Sequence, residues 1–188
     1  GGNISGTEES DGAVVLDSIT YFQIESSVLE LKELSDDGTS IVIQPALTDK
    51  MKDRLKAGSS IPDLEFKLIS GEETSIKKHL DNKKYLYLNF WATWCAGCKQ
   101  ELDDLKKLYA DFSEKVTIVS LNYNEDAEKI KSFIDQYDIK WLNGFSTAKI
   151  NEELLIQGLP RNILIDSEGK IVEMNIHPSK LLKQLDTK

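Results

Sequence analysis

A nearly continuous apolar run at residues 85–90, Tyr-Leu-Tyr-Leu-Asn-Phe, constrains this chain more than any other feature. Such a run is typical of a central strand that is covered on both faces. Cys95 and Cys98 follow directly, and apolar residues then recur at three- and four-residue steps from Leu102 to Phe112. This spacing predicts an amphipathic helix. The two cysteines are therefore expected at a strand–turn–helix junction, with Cys95 at the helix start.

The pattern downstream of Ile61 alternates strands with helices. Strands are predicted at residues 64–69, 116–121, 162–165 and 171–176, and helices at 75–80, 126–137, 152–156 and 179–185. A glycine at position 158 is expected to end the helical turn at 152–156. This alternation predicts an α/β fold, in which a central mixed sheet carries helices on both faces.

The region upstream of Ile61 differs in composition. Residues 1–10 are polar and rich in Gly and Ser, which predicts a disordered terminus. The chain lacks an initiator Met, so we expect a longer precursor whose missing part could be a secretion signal or a membrane anchor. Residues 11–60 are predicted to form a small β-rich extension, with strands at 13–16, 21–24, 28–31 and 40–44 and a helix at 49–57. Residues 61–188 are then the main domain.

The two cysteines are the only ones in the 188-residue chain. A disulfide between them would close a very small loop and would constrain the unfolded chain little, so reactivity explains the pair better than stability does. A helix N-terminus favours an anion, and lowering a thiol pKa from about 8.5 to roughly 7 takes about 2 kcal/mol. Cys95, the N-terminal and more exposed sulfur, is the expected nucleophile, and Cys98 is expected to resolve the mixed disulfide.

Metal and nucleic acid are disfavoured by the same sequence. A structural zinc site needs four ligands, and the other candidates, His79 and His177, lack the short spacing of a zinc finger. We therefore predict no metal and no cofactor beyond the redox-active disulfide. The net charge of −9 repels phosphate backbones, which argues against nucleic acid as a partner.

Two segments resemble a known family. Residues 89–98, Asn-Phe-Trp-Ala-Thr-Trp-Cys-Ala-Gly-Cys, resemble the active-site segment of the thioredoxin superfamily, and residues 158–166 resemble its cis-proline loop and following strand. With Ile-Pro-Asp-Leu at 61–64, the match is similar to the extracytoplasmic ResA/TlpA-like branch of the broader AhpC/TSA-redoxin grouping. The resemblance implies a thioredoxin-like fold, a thiol:disulfide oxidoreductase that reduces protein disulfides, a disulfide-bearing client, a membrane or soluble thiol electron donor, and an extracytoplasmic location.

The resemblance also implies roles for residues outside the cysteine pair. Trp94 would shield the dithiol. Pro160 would be cis and would set the backbone of Leu159 beside the sulfurs, where it could hold a client strand by main-chain pairing. Arg161, which follows where a small hydroxyl residue is common, could favour the thiolate and select acidic partners.

A glutamate completes the predicted site. Thioredoxins proper have a buried aspartate on the strand before the active site, whereas this chain has Asn89, and an amide cannot carry protons. Glu101 matches the active-site glutamate of ResA-like proteins and lies three residues after Cys98, on the same helix face. Partial burial could raise its pKa and suit proton exchange with Cys98. The alternative is an ordinary solvated helix charge.

Two other functions stay open from the sequence. Peroxiredoxins have a related fold but carry a proline and a threonine spaced ahead of their peroxidatic cysteine, and residues 90–94 lack that proline. A thiol peroxidase is therefore the second hypothesis. A metal carrier or a binding module with an incidental dithiol is the third. Gly97, where many relatives have proline, leaves the redox potential unpredicted.

Overall fold

The computed structural model describes residues 21–24, 27–34, 41–45, 55–80 and 83–187. The chain divides into two units, Gly1–Lys50 and Met51–Lys188. The boundaries that we predict at residues 10 and 60 stay predictions.

The first unit contains a three-stranded antiparallel sheet in the order β1-β2-β3. Its strands are β1 (Tyr21–Ile24), β2 (Ser27–Leu34) and β3 (Ile41–Pro45). The strands predicted at 21–24, 28–31 and 40–44 coincide with these three. The strand predicted at 13–16 lies outside the described residues, as does most of the helix predicted at 49–57.

The second unit is built on a seven-stranded mixed sheet in the order β10-β9-β6-β7-β8-β4-β5. Neighbours β6, β7 and β8 run parallel, and the other pairs are antiparallel. The strands are β4 (Glu65–Leu68), β5 (Glu73–Ser75), β6 (Tyr85–Trp91), β7 (Val116–Asn122), β8 (Leu142–Phe145), β9 (Arg161–Asp166) and β10 (Ile171–Met174). The predicted α/β fold with a central mixed sheet is confirmed.

Helices cover both faces of this sheet. They are α1 (Ala96–Phe112), α2 (Ala127–Gln136), α3 (Ala148–Glu153) and α4 (Pro178–Asp186), with a 3₁₀ turn at Ile76–His79. One core cluster joins α1, α2 and α4 to one face, and a second joins α3 and the 3₁₀ turn to the other. The central strand β6 lies between the two cores because its side chains alternate, with Tyr87 in the first cluster and Leu88 in the second.

Several local elements differ from the sequence-based expectation, and one of them is β5, for which no strand was predicted. The helix expected at 152–156 begins earlier, because Thr147 Oγ1 accepts the Ile150 N–H and caps α3. Strand β8 was not predicted, since it contains Asn143 and Gly144, which are unfavourable in strands. Gly144 is needed there because a Cβ atom would lie 2.8 Å from the Lys67 carbonyl oxygen of β4.

Candidate active site

The two cysteines lie where β6 gives way to α1, as predicted. Cys95 is the N-cap of α1, and its Sγ accepts the backbone N–H of Cys98 at 3.1 Å. The two residues form a disulfide with an S–S distance of 2.09 Å. Both residues are 5% exposed as a whole and pack into the core beneath α1, so the greater exposure of the Cys95 sulfur stays a prediction. The helix N-terminus still favours negative charge at Cys95.

The second motif lies against the first. The Leu159–Pro160 peptide bond is cis. A Cβ atom on Gly97 would lie 3.0 Å from Pro160 Cδ, so the proline ring packs directly on the first turn of α1. Leu159 is half-buried and packs against the core, whereas Trp94 is 62% exposed. Apolar side chains therefore lie at the surface beside the disulfide.

The strand pairing places the Arg161 side chain on the face of the sheet opposite to α1. In the pairing of β9 with β6, Asn162 lies opposite Asn89 and Arg161 lies opposite Phe90. Because side chains alternate, and Asn162 points towards α1, Arg161 belongs to the opposite face of the sheet. It is half-buried, its Nε has no hydrogen-bond partner among the described residues, and burial lowers its pKa. Its predicted effect on the thiolate stays a prediction.

Glu101 is buried beside α4. Its side chain is 5% exposed, and Asn162 Nδ2 donates to both carboxylate oxygens at 3.1 Å. Burial raises the pKa of Glu101, and the hydrogen bond from Asn162 and the charge of His177, whose Nε2 lies 3.7 Å from Oε1, oppose that rise only in part. The alternative of a solvated helix charge is therefore wrong.

A chain of buried polar groups links Glu101 to the space behind Cys98. Asn89 Nδ2 donates to Asn162 Oδ1, and Ser120 Oγ donates to Asn89 Oδ1, both at 2.8 Å. Trp141 Nε1 donates in turn to Ser120 Oγ at 2.8 Å. Cys98 and Asn89 line one small internal cavity with Ser120 and Trp141. The Asn89 side chain thus orients Glu101 through Asn162, and it neither takes up nor releases a proton.

A second carboxylate, Glu125, supports the segment before Cys95. It accepts the backbone N–H of Thr93 at 2.6 Å and its hydroxyl at 2.5 Å. Asn122 Nδ2 donates at 2.9 Å, and Lys129 Nζ lies 2.7 Å away. Burial alone would raise the pKa of Glu125, but these donors outweigh it and lower the pKa to about 2. Glu125 therefore stays ionised and holds Thr93 in place through these hydrogen bonds.

Sequence reasoning missed Glu125 and Asn162, and it considered His177 only as a zinc ligand. These residues are far apart along the chain and meet only through strand pairing and helix packing. One signal was available, since Asn89, Ser120 and Asn162 interrupt strands that are otherwise apolar, and buried polar groups need partners. That signal indicates a network without revealing its members.

No metal cluster lies within the described part of the chain, where no group of three or more His, Cys, Asp or Glu side chains could hold an ion. Across those same residues, no helix has the length and apolar character that a membrane crossing requires.

Comparisons with known proteins agree with this geometry. The Redoxin family model matches residues 56–188. The chain is 32% identical over 125 residues to "Thioredoxin-like protein YneN" of Bacillus subtilis (strain 168), covering 65% of this chain and 72% of that protein. It is 34% identical over 125 residues to "Thiol-disulfide oxidoreductase ResA" of Bacillus cereus (strain ZK / E33L), covering 65% and 70%.

Two solved structures have a similar fold. The thioredoxin domain of a thiol-disulfide oxidoreductase from Bacteroides vulgatus superposes with a TM-score of 0.64 at 26% identity, over 71% of this chain and 97% of that chain. A thiol:disulfide interchange protein from Bacteroides sp. superposes with the same TM-score and identity, over 71% and 90%.

Proposed function

The chain belongs to the Redoxin family and is a thiol-disulfide oxidoreductase of the ResA-like thioredoxins, and from that premise we propose that it reduces protein disulfides outside the cytoplasm. The observation that carries the proposal is the Cys95–Cys98 disulfide at the N-terminus of α1, packed against the loop that contains Pro160. This arrangement supplies an activated thiolate, a second thiol within reach, and a neighbouring main chain that can hold a client.

The reaction is a two-step exchange. The Cys95 thiolate attacks one sulfur of a client disulfide, the S–S bond breaks, and the departing client sulfur takes a proton from solvent. The Cys98 thiolate then attacks Cys95 Sγ, forms the Cys95–Cys98 disulfide and releases the second client sulfur as a thiolate, which takes a proton from solvent. Two electrons pass from the dithiol to the client, and a thiol electron donor restores the dithiol.

Glu101 serves the second step. Cys98 attacks only as a thiolate, so its proton must leave first. The Glu101 carboxylate lies on the same face of α1, one turn along, and its raised pKa suits it to accept that proton and later to return it. Asn162 orients the carboxylate for this exchange.

The client is held beside the disulfide by main-chain pairing. The backbone of Leu159 precedes Pro160 at the surface, and an extended client segment can pair with it there. Trp94, which is 62% exposed, offers an apolar surface next to Cys95. The electron donor is a membrane-bound or soluble thiol, and an anchor in the precursor would hold the protein near a membrane donor.

A trapping experiment tests the exchange. Reduced Cys98→Ser should accumulate a covalent mixed disulfide between Cys95 and a client such as insulin, because the resolving thiol is missing. Cys95→Ser is the matched control and should trap nothing. Equal trapping by both variants, or none by either, would contradict the assigned order of attack.

The direction of electron flow is tested by the reduction potential. A reductase is expected near roughly −300 mV, whereas an oxidant such as DsbA lies near about −120 mV. A value at the oxidising end would leave the exchange chemistry intact and would reverse the proposed direction.

A further inference from the structure

His177 lies between solvent and the buried Glu101. It is the N-cap of α4, and its side chain is 52% exposed, whereas the carboxylate of Glu101 is 5% exposed. The imidazole Nε2 lies 3.7 Å from Glu101 Oε1. The imidazole therefore lies within ion-pair distance of the buried carboxylate, on its solvent side.

The capping contact of His177 favours one tautomer. Its Nδ1 accepts the backbone N–H of Ser179 at 3.2 Å. A neutral imidazole has one donor and one acceptor nitrogen, so capping through Nδ1 goes with a proton on Nε2, the nitrogen that faces Glu101. In this tautomer an N–H group faces the carboxylate.

A second carboxylate faces the other ring nitrogen. Asp104 Oδ2 lies 3.9 Å from Nδ1, and Ser179 Oγ lies 2.8 Å from the same atom. Of these two oxygens only Ser179 Oγ is within hydrogen-bond distance of Nδ1, so Asp104 acts on the ring through its charge. Asp104 and Glu101 are one turn apart on α1, so a single imidazole bridges them.

The remaining neighbours do not replace this interaction. Tyr87 Oη donates to the carbonyl of Ile176, and burial raises the pKa of Tyr87, so this hydroxyl stays neutral. Lys180 on α4 is paired with Glu173. Among the described residues, the charged groups that face His177 are therefore Glu101 and Asp104.

We propose that His177, supported by Asp104, is a positioning residue for Glu101: the imidazole lies on the solvent side of the carboxylate, and its positive charge, when present, favours the ionised carboxylate that accepts the Cys98 proton. This inference rests on the proposed role of Glu101. The proton still moves from Cys98 Sγ to the Glu101 carboxylate, and His177 changes only how readily that carboxylate is available.

The test measures the resolving step as a function of pH. The mixed disulfide is formed first, and its decay through Cys98 attack is followed by stopped-flow between pH 5.5 and 8.5 in the wild type, His177→Asn and Glu101→Gln. Asparagine is a good N-cap, so His177→Asn keeps the cap of α4 and removes the imidazole. His79→Asn is the matched control, because the sequence contains only these two histidines.

We expect His177→Asn to slow the resolving step about threefold to fivefold at the acid end of this range, the size typical of a partly exposed ion pair, because the charge of His177 lowers the pKa of Glu101. At pH 8.5 the effect should be less than about twofold. His79→Asn should follow the wild type throughout. Superimposable profiles for His177→Asn and the wild type, with Glu101→Gln impaired, would overturn this inference alone. An unimpaired Glu101→Gln would instead overturn the role of Glu101 itself.

A measurement on the unmodified protein guards against a misfolded variant. The ¹⁵N shifts of the His177 ring, measured above pH 8, report its tautomer. The Nε2–H tautomer is expected, and the Nδ1–H tautomer would overturn the proposal, since no donor would then face Glu101.

Discussion

Glu101 and Glu125 are two carboxylates of equal exposure, and they differ in almost everything else. Each has a side chain that is 5% exposed, and each lies near the disulfide. Glu125 receives hydrogen bonds from Thr93, Asn122 and Lys129, and its pKa falls to about 2. Glu101 receives a hydrogen bond from the Asn162 amide, and burial raises its pKa. The two pKa values therefore differ because more donors face Glu125 and because Glu101 is the more deeply buried residue.

This difference in pKa gives the two carboxylates different roles around the cysteines, since one supports the structure and the other exchanges protons. A carboxylate that stays ionised at every ordinary pH cannot exchange protons, but it can hold a loop in place. A carboxylate with a raised pKa destabilises the folded protein when it is ionised, and it is suited to general acid–base catalysis. Two glutamates thus divide the support of Thr93 and the proton exchange of Cys98 between them.

The largest effect is expected on stability at Glu125. A pKa lowered from 4.5 to about 2 means that folding favours the ionised carboxylate, and solvent screening of this part-buried group limits the stabilisation at neutral pH to about 2 kcal/mol. Glu125→Gln should lower the free energy of unfolding in urea by that amount at pH 7. Glu128→Gln, an exposed residue in the first turn of α2, is the control and should change it little. An equal loss of unfolding free energy in both variants would contradict the proposed role of Glu125 in holding Thr93.

A loss of turnover is expected next, at Glu101. Glu101→Gln removes the proton acceptor and should slow the resolving step about 10²-fold, the lower end of general acid–base contributions. The free energy of unfolding at pH 7 should rise, because an ionised carboxylate is no longer buried. A variant that is both fully active and less stable would make Glu101 resemble Glu125.

The two carboxylates should give opposite pH dependences of stability. The contribution of Glu125 is present above its unfolded value of 4.5 and is lost as the pH falls towards about 2. The contribution of Glu101 is full below its unfolded value of 4.5 and is lost as the pH rises through its raised pKa. Unfolding of each glutamine variant across pH 2 to 8, compared with the wild type, isolates the two terms. Difference curves of the same sign would contradict the comparison.

The sequence predicted the reactive pair well, because its signals are local. The apolar run of β6, the two cysteines and the stripe along α1 are contiguous, and the burial of Glu101 follows from its place beside that stripe. The partners of Glu101 and Glu125 could not be predicted. Asn162, Thr93 and His177 meet these carboxylates only through strand register and helix docking, which depend on contacts between distant parts of the chain.

The smallest effect is expected when one amide is removed from each carboxylate. Asn162→Ala deprives Glu101 of its hydrogen-bond donor and should raise its pKa further, which moves the acid limb of the resolving step upward by about one pH unit. Asn122→Ala leaves Glu125 with Thr93 and Lys129, so its titration should move less. A larger shift at Glu125 than at Glu101 would reverse the ranking of the two sites.

The most direct test is a titration of both carboxyl carbons in one sample of the wild-type protein, followed by ¹³C NMR. We expect the Glu125 signal to titrate near pH 2 and the Glu101 signal to titrate above 4.5, the ordinary value for a glutamate. Titration of both carboxyls near the ordinary value, or of Glu101 below Glu125, would contradict the division of roles between them.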